Sequence, residues 1–401
     1  MEYDYDVVVV GAGPIGGYLS RKLTEHGNTV LLIEEHAEIG RPFQCAGLVN
    51  PGAMSKVNLE ETALTRIWGA ILHSPSGNSI KIGNPDITRT WSVCRKLFDE
   101  KVVIQSVEIG TDLWLSSSPL SAEIKKDYVE MIINYQGKKR KVRTKLLCGA
   151  DGAHSWVRRN FKMGRPKEMM VGLQIEVTGY KSEEGLLELF TGNDISPGFF
   201  SWAIPSGDTT RIGVWSKPKL LGDKSCEYFL EQLMNDSPWK ERFLECKEVG
   251  RFCGPVPSGI LKKTMKERVA LFGDAAGICK PTTGGGIGPG FKQVDILVPL
   301  LNKAIVDDDL SEKKMAKIAL SLNEMKRNQR RKRALRDAFL TEVSEEELDA
   351  IFDIWSRPEV IELINEIGDI ENPIPLGMKM LKDVPEFRKY AKKAAMAILW
   401  G

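Results

Sequence analysis

Histidine is scarce in this chain, and the cysteine pattern of two common protein classes is absent. Four histidines occur among 401 residues, so histidine-based acid–base catalysis is a poor expectation. The seven cysteines are odd in number and include no CxxC pair, which argues against both a disulfide framework and a zinc site. We therefore expect a protein without a structural or catalytic metal.

The charge balance and the apolar runs argue against a nucleic-acid-binding protein and against a membrane-spanning or secreted protein. The net charge is +2, which provides no overall attraction to nucleic acid. The longest uninterrupted apolar run falls far short of the about 20 residues that span a bilayer, and the first predicted strand begins too early for a signal peptide. We expect a cytoplasmic protein of two or three domains.

A buried strand that runs into a glycine-rich turn begins the chain. Residues 6–10 (Asp-Val-Val-Val-Val) predict a parallel strand, and the apolar spacing after the turn predicts a helix. Gly11 permits the tight turn, Gly13 lets a diphosphate approach the backbone, and Gly16 lets the helix pack closely on the strand. The positive N-terminal end of the helix would then hold a diphosphate.

Two downstream features extend this nucleotide pattern. A second strand is predicted at 29–33 and ends at Glu34, about 20 residues past the glycines, where a carboxylate can accept hydrogen bonds from a ribose diol. A second glycine-rich segment, GDAAGICKPTTGGGIG, occupies residues 273–288. Two such segments suggest one extended dinucleotide held at both ends, and this predicts FAD as the cofactor.

The nucleotide-binding pattern is interrupted by further strands, as expected for an inserted domain. Hairpins are predicted at 71–82 and 130–147, and alternating strands at 166–250. The predicted fold is a Rossmann-like α/β FAD-binding domain with an inserted antiparallel-sheet domain and a helical C-terminal region. The predicted boundaries are 1–70, 90–165 and 250–305 for the discontinuous FAD-binding domain, 71–89 and 166–249 for the substrate domain, and 306–401 for the helical region.

The order of the motifs resembles the flavoprotein group that includes para-hydroxybenzoate hydroxylase, and within it the geranylgeranyl reductases. The matching motifs are GxGxxG at 11–16, RKLFD at 95–99, DGxxSxxR at 151–158 and GDAAG at 273–277. The resemblance spans roughly residues 1 to 300. It implies that Asp274 hydrogen-bonds the ribityl chain and that a helix begins near Gly286 and Ile287, facing the isoalloxazine. A helix N-terminus there would stabilise the anionic reduced ring.

The resemblance implies a set of cofactor-binding residues in this chain. They are Gly11, Gly13, Pro14, Ile15, Gly16, Glu34, Glu35, Arg41, Cys45, Ala46, Gly47, Arg95, Asp151, Gly152, Asp274, Pro281, Gly284, Gly286 and Ile287. Asp151 and Arg158 have an alternative role, which is to hold the domain junction together without touching a ligand.

One further segment resembles the part of geranylgeranyl reductases that lines an isoprenoid cavity. Residues 196–205 (SPGFFSWAIP) look like the PGxxxWxxP segment of that family. The implied substrate-binding residues are Phe199, Phe200, Trp202 and Pro205. Aromatic residues that share one strand face can also be ordinary core, and this alternative stays open.

Residues 39–47 (IGRPFQCAG) look like the reductase segment that places a cysteine beside the flavin. Cys45 is therefore the candidate catalytic residue. The alternative is that Cys45 only packs as a small buried side chain. The best-known members read CGEG here, whereas this chain reads CAGL. The difference points to a sister group with a different lipid.

A basic segment in the C-terminal region has two interpretations. Seven lysines and arginines lie between residues 326 and 336, and a basic helix face is usually only solvated. If the substrate is an anionic phospholipid, the same charges would hold the protein at a membrane surface by about 1 kcal/mol per residue. Residues 390–400 are predicted to form a docking helix. Together they favour a peripheral protein at the inner face of the cell membrane.

The resemblance implies a reductase that saturates carbon–carbon double bonds in geranylgeranyl chains of ether phospholipids, with hydride from N5 of reduced FAD. An isolated alkene accepts hydride poorly, so a proton donor is needed in a dry cavity. Cys45, a water molecule and the flavin itself are the candidates. No second GxGxxG is present for NADPH, so the electron donor would be a ferredoxin or transiently bound NAD(P)H.

Two alternatives remain at this point. The segment FSWAIP at 200–205 comes close to the WxWxIP segment of flavin halogenases, although Phe200 replaces the first tryptophan. An aromatic monooxygenase or halogenase would consume oxygen in a reaction coupled to NADPH. A non-catalytic flavoprotein that binds a lipid or a protein partner would hold FAD that no physiological donor reduces.

Overall fold

The computed structural model describes residues 3–41, 45–368 and 374–400, without the side chains of 398–400. The strands of these residues are β1 Tyr5–Val10, β2 Val30–Ile33, β3 Leu48–Val49, β4 Ala63–Ile67, β5 Gly69–His73, β6 Ser79–Gly83, β7 Thr90–Val93, β8 Asp112–Trp114, β9 Ser117–Ile124, β10 Val129–Tyr135, β11 Lys138–Gly149, β12 Glu168–Thr178, β13 Leu186–Thr191, β14 Phe200–Ser206, β15 Thr209–Ser216, β16 Lys247–Ser258, β17 Met265–Lys266 and β18 Val269–Leu271.

The α-helices are α1 Pro14–Glu25, α2 Pro51–Met54, α3 Arg95–Val107, α4 Trp156–Asn160, α5 Pro218–Leu221, α6 Cys226–Glu231, α7 Ile287–Val306, α8 Glu312–Ala319, α9 Asn323–Arg336, α10 Glu345–Trp355, α11 Pro358–Ile367, α12 Ile374–Asp383 and α13 Ala391–Trp400. None of the helices in the described ranges combines the length and the apolarity that crossing a membrane requires.

The first sheet has the central order β17-β18-β11-β1-β2-β8, and the β9–β10 hairpin extends from β11. Strand β1 is parallel to both β2 and β11. Its valines are buried on both faces: Val7 and Val9 pack with the helices α1, α3 and α7, whereas Val8 and Val10 pack on the opposite side. A strand covered on both faces reads as a continuous apolar run, which explains the sequence of β1.

The second sheet has seven strands in the order β16-β12-β15-β14-β13-β5-β6. The predicted hairpin at 71–82 is present as β5 and β6. All neighbouring strands are antiparallel except β13 and β5, which are parallel. Strand β16 runs across the boundary expected between residues 249 and 250, because it pairs with β12 from residue 247 to residue 258. The division into domains itself stays a prediction.

A third, small sheet and the C-terminal helices complete the fold. The small sheet has the order β3-β7-β4. The described residues after 306 are mostly helical, and a separate apolar cluster joins α10, α11, α12 and the segment at 384–390. The Rossmann-like α/β fold with a second sheet and a helical C-terminal region is therefore confirmed.

Part of the predicted basic face of α9 is buried. Arg333 and Arg336 are each 4 % exposed and pair with Glu168 at 2.8 and 2.9 Å. Arg336 also donates to the carbonyl oxygen of Pro281 at 2.8 Å. Because both arginines are buried and paired inside the protein, they do not contribute to a surface that faces solvent or a membrane.

Candidate functional site

The first glycine segment forms the close turn that its sequence predicts. Gly11 has a φ of +98°, and a Cβ atom on Gly16 would lie 1.8 Å from the carbonyl oxygen of Gly11. Pro14 is the first residue of α1, and Gly13 precedes it in an extended conformation. No described atom lies within 4 Å of the position of a Cβ on Gly13. The turn is thus packed tightly from inside and open at Gly13, where a diphosphate would approach.

Glu34 lies directly after β2 and reaches back to this turn. Its Oε2 accepts a hydrogen bond from the backbone N–H of Ala12 at 2.8 Å, and its Oε1 lies 2.6 Å from Nδ1 of His36. The backbone N–H of His36 also donates to Oε1, at 3.1 Å, so it is Oε2, with one partner, that keeps a lone pair for a ribose hydroxyl. Glu35, predicted beside it, is exposed.

The two glycine segments meet at Ile15. A Cβ on Gly273 would lie 3.0 Å from the Ile15 side chain, and a Cβ on Gly290 would lie 2.3 Å from it. Gln293 of α7, which is fully buried, accepts from the N–H of Gly273 at 2.9 Å and donates to the carbonyl oxygen of Leu271 at 2.9 Å. Helix α7 and the GDAAG segment are therefore fixed to the first turn.

Asp274 lies at the N-terminal end of α7, as the motif order predicts. A Cβ on Gly286, the residue before α7, would lie 2.9 Å from Asp274 Oδ1. The Cys279 thiol donates to the same oxygen at 3.0 Å. Burial raises the pKa of the Asp274 carboxyl, against the opposing effects of the thiol and Arg95. Burial and Asp274 together raise the pKa of the Cys279 thiol well above its usual range, so Cys279 stays a donor.

The loop before α7 presents polar groups that the chain does not use. Thr282 Oγ1 and Thr283 Oγ1 are buried and have no hydrogen-bond partner among the described residues. Pro281 is buried, and Ile287, the first residue of α7, is 8 % exposed. A Cβ on Gly284 would lie 3.1 Å from the ring of Trp215. This loop joins the start of α7 to the seven-stranded sheet.

Cys45 lies in a loop that an arginine of the seven-stranded sheet holds in place. Arg211, 2 % exposed, donates to the carbonyl oxygens of Ala46 at 2.9 Å and Val93 at 3.2 Å. The N–H of Gly47 donates to Cys45 Sγ at 3.4 Å. Because Gly47 has a φ of +75° and its Cβ would lie 2.3 Å from Arg211 Nη1, a larger residue would displace the arginine.

Arg95 lies at the first position of α3, next to this loop. Its guanidinium donates to both oxygens of Asp99, at 2.9 and 2.7 Å. Burial opposes the charge of Arg95, but the carboxylate of Asp99 and the thiol of Cys45 outweigh burial and raise the arginine's pKa. Arg41 is placed at the surface, 3.9 Å from Glu38. Residues 42–44 of the predicted segment lie outside the described residues.

The DGxxSxxR motif is connected to the second glycine segment. Asp151 Oδ2 accepts from the N–H of Val157 at 3.0 Å, while its buried Oδ1 has no partner among the described residues. Burial raises the pKa of this carboxyl. Arg158 donates to the carbonyl oxygens of Ala153 and Ala275, so it links this motif to GDAAG. Gly152 has a φ of +72°.

The predicted aromatic residues lie on or beside the sheet that faces these loops. Phe199 is 1 % exposed and packs on Trp215 with ring centres 4.9 Å apart. Trp202 is half-buried, and its indole N–H donates to Gln174 Oε1 at 3.0 Å. Phe200 packs edge-on against Trp215 at 5.6 Å. Phe199 thus behaves as core, whereas Phe200 and Trp202 keep accessible ring surface.

Pro205 has a structural role at the end of β14. It is buried, and its carbonyl oxygen accepts from the Ser92 hydroxyl at 2.7 Å. This contact joins β14 to β7 of the small sheet. Among the described residues, no contact places Pro205 on the same surface as Phe200 and Trp202. Its role in substrate binding therefore stays a prediction.

Several side chains of the site escaped the sequence analysis. Except for Cys279, which lies within the second glycine segment, each is distant in sequence from the motif that it supports, so no local pattern signals it. They are Gln174, Glu176, Arg211, Trp215, Cys279, Gln293, Gln329 and Arg336. Gln329 donates to the carbonyl oxygens of Gly277 and Cys279, which supports the GDAAG segment from behind.

The described residues fit FAD. The open backbone at Gly13 suits a diphosphate, and Glu34 suits a ribose. Asp274 and the unpartnered hydroxyls of Thr282 and Thr283 surround the N-terminus of α7, where a positive helix end suits a reduced isoalloxazine. Within the described ranges, no group of three or more His, Cys, Asp or Glu side chains is arranged to hold a metal ion.

The chain matches the family described as FAD binding domain over residues 4–65 and 88–306. It is 30% identical to a digeranylgeranylglycerophospholipid reductase from Methanococcus vannielii, over 98% of this chain and 99% of that protein.

Solved structures confirm the fold. A geranylgeranyl bacteriochlorophyll reductase-like protein from Thermoplasma acidophilum superposes with a TM-score of 0.86 at 22% identity, covering 97% of this chain and 99% of the other. The flavin-dependent brominase Bmp2 superposes with a TM-score of 0.73 at 20% identity, covering 96% and 99%. FAD as the cofactor is confirmed by the family match. The chain belongs to the digeranylgeranylglycerophospholipid reductase family, a family of FAD-dependent oxidoreductases.

Proposed function

We propose that this protein is an FAD-dependent reductase that saturates carbon–carbon double bonds in the geranylgeranyl chains of archaeal-type ether phospholipids. The observation that carries the proposal is the near-complete alignment with a relative named for that reaction. The aromatic cluster of Phe200, Trp202 and Trp215 supports it, because Trp215 lies against the loop before α7 and the other two rings pack beside Trp215.

Reduced FAD, once bound, supplies a hydride to one alkene carbon while a proton reaches the other, so each reduced double bond gains two hydrogens. Residues of the chain itself position the cofactor and shield the reacting alkene. The Cys279 thiol occupies Asp274 Oδ1 and leaves Oδ2 of that carboxylate for the cofactor. The aromatic cluster would exclude water from the reacting alkene. Reduction of an isolated double bond needs such a dry environment.

Cys45 is the proposed proton donor. Its loop is held by Arg211, and its thiol interacts with Arg95, so the S–H group has a defined position. Exchange to serine keeps a proton in place, whereas exchange to alanine removes it. Loss of turnover in Cys45→Ala, with partial activity in Cys45→Ser and unchanged FAD affinity in both, supports this role. Wild-type turnover in Cys45→Ala would assign the proton to water.

The electron donor and the membrane contact complete the proposal. A ferredoxin or NAD(P)H would reduce the bound FAD. A peripheral contact with anionic lipid would use the exposed cations of α9, such as Arg327 and Arg330, since Arg333 and Arg336 are buried. Tyr390, directly before α13, is buried in the C-terminal apolar cluster, and Ala394 and Ala397 of α13 are buried as well. Co-sedimentation with anionic against neutral vesicles tests this contact.

The test of the reaction is anaerobic. The flavin is reduced with dithionite, geranylgeranylated phospholipid is added, and both flavin absorbance and lipid mass are followed. We expect reoxidation together with stepwise gains of two hydrogens, and no reoxidation with the fully saturated lipid as control. A flavin that stays reduced until oxygen is admitted would contradict the proposal and favour an oxygenase or halogenase.

A further inference from the structure

Three glycines form a strip across the seven-stranded sheet. Gly172 of β12 is paired directly with Gly254 of β16, and its partner on β15 is Trp215. Gly213 precedes Trp215 by two residues and pairs with Gln174. Side chains at paired and alternate positions point to one face of a sheet. The strip therefore lies on the face that carries Trp202, Gln174, Arg211 and Trp215, which we call the site face.

The strip becomes progressively more open towards the edge strand β16. A Cβ on Gly213 would lie 2.4 Å from the ring of Trp202, so this indole covers the first glycine. A Cβ on Gly172 would lie 3.4 Å from the Cβ of Trp215, an ordinary contact. No described atom lies within 4 Å of a Cβ position on Gly254. The described residues therefore leave a shallow groove over Gly172 and Gly254 that leads to the sheet edge.

A buried amide with an unused donor lies at the closed end of this groove. Gln174 is 1 % exposed, and its Oε1 accepts from the indole N–H of Trp202 at 3.0 Å. An indole nitrogen only donates, so the oxygen of Gln174 must face Trp202 and the NH₂ group must point elsewhere. Among the described residues, that nitrogen has no hydrogen-bond partner. A buried donor left unpaired is costly, which indicates an acceptor on a ligand.

Gln174 lies between two contacts to the cofactor-binding loops. On β15, Arg211 contacts the Cys45 loop at Ala46, and Trp215 contacts the loop before α7 at Gly284. Gly213, the partner of Gln174, is midway between these two residues. Gln174 therefore lies on the site face between the two loops that the cofactor is expected to contact.

We infer that the glycine strip is the floor of the channel for the polyprenyl chain, and that Gln174 Nε2 donates to the glycerol ether oxygen when the double bond beside that oxygen is positioned for reduction. This inference rests on the proposed function. In an allylic ether the oxygen is separated from the alkene by one carbon, so only this double bond brings an acceptor near the cofactor. Double bonds further along the chain place only hydrocarbon at Gln174.

The test is Gln174→Met, which keeps the side-chain length and removes the donor. We expect unchanged FAD affinity, near-wild-type reduction of the distal double bonds and about tenfold slower reduction of the double bond beside the ether oxygen, the effect of one lost hydrogen bond. A product that lacks two hydrogens per geranylgeranyl chain should accumulate in the mass spectrum. Because Gln174→Met also removes the acceptor of the Trp202 indole N–H, Trp202→Phe is made in parallel. It removes the same hydrogen bond but keeps the Gln174 NH₂ group, and because Trp202 belongs to the proposed lipid surface it should affect all the double bonds alike rather than the one beside the ether oxygen.

Three outcomes would overturn the inference. Gln174→Met could saturate the lipid like wild type, or slow every double bond equally. It could also weaken FAD binding without lipid, which would assign the donor to the cofactor. If wild-type protein reduces no double bond at all, the proposed function fails, and this result is distinct from any effect of the variant.

A second pair of variants tests the channel even if Gln174→Met folds poorly. Gly254→Val places a branched side chain in the groove, in a strand where valine is favoured. Reduction of all the double bonds should slow at least about tenfold, with FAD affinity unchanged. Cys253→Val, on the exposed opposite face of the same strand, should behave like wild type. Equal turnover in both variants would place the lipid elsewhere.

Discussion

Glycine occurs in two regions of this molecule for opposite reasons. In the turn after β1, missing side chains make room for the chain itself: a Cβ on Gly16 would collide with Gly11, and one on Gly11 would lie 2.6 Å from the carbonyl oxygen of Ala150. On the site face, the described residues leave the space over Gly254 empty. The distance to the nearest atom separates a glycine that packs the fold from one with open space beside it. By this criterion Gly13 belongs with Gly254.

The largest effects are expected from exchanging Gly16 and Gly13, two glycines of the first turn that represent the two kinds of glycine. Gly16→Ala puts a methyl group 1.8 Å from a backbone oxygen, so we expect a loss of several kcal/mol in unfolding free energy or no folded protein. Gly13→Ala meets no described atom and should leave the melting temperature of the FAD-free protein unchanged while weakening FAD binding at least about tenfold. Thermal unfolding and FAD titration measure both. Equal destabilisation by the two variants would contradict the distinction.

Glu168 tests whether the seven-stranded sheet depends on the C-terminal helices. It pairs with Lys217, Arg333 and Arg336, and despite burial these cations lower the pKa of its carboxyl to about 2. Glu168→Gln should therefore cost about 3 kcal/mol at neutral pH, because it leaves buried cations uncompensated.

The pH dependence of this effect has a defined sign. A carboxyl whose pKa is lower in the folded state binds fewer protons there, so its stabilisation is full above about pH 4.5 and is lost as the pH falls towards 2. The difference in unfolding free energy between wild type and Glu168→Gln should shrink over this interval. A difference that stays constant with pH would show that the ion pairs do not cause it.

Exchange of Arg211 is expected to have the smallest effect on stability and FAD binding. Arg211→Lys keeps the charge but cannot hold Glu176, Ala46 and Val93 together. We expect stability to fall by about 1–2 kcal/mol and FAD binding to weaken by about tenfold, because the Cys45 loop loses its support. Arg242→Lys, the same exchange at the half-buried ion pair with Glu188, is the control and should leave FAD affinity unchanged.

The parts of the site that could be predicted are those that neighbouring residues encode. Strand, glycine turn and helix at 5–25 follow from local backbone conformation and apolar spacing, and the start of α7 at Ile287 followed from a contiguous motif. Gln174 gave no such signal, because its role depends on the pairing of β12 with β15 and on Trp202 from β14.

The basic segment at 326–336 shows a different limit. Its charge count predicts a solvated or membrane-facing helix, but helical phase turns Arg333 and Arg336 inward towards Glu168. The partner lies far away in sequence, at the start of β12, so composition alone cannot reveal that these charges are already paired.

The most direct test of the lipid site is the NMR spectrum of protein labelled with ¹⁵N at its indoles, assigned by single Trp→Phe variants. Trp202 and Trp215 lie on the site face, whereas Trp114 lies beside Glu34, with its carbonyl oxygen accepting from the Glu34 N–H. When geranylgeranylated phospholipid is added anaerobically to the FAD-loaded protein, the Trp202 and Trp215 signals should shift and the Trp114 signal should not. Unchanged Trp202 and Trp215 signals at saturating lipid would contradict a lipid site on this face.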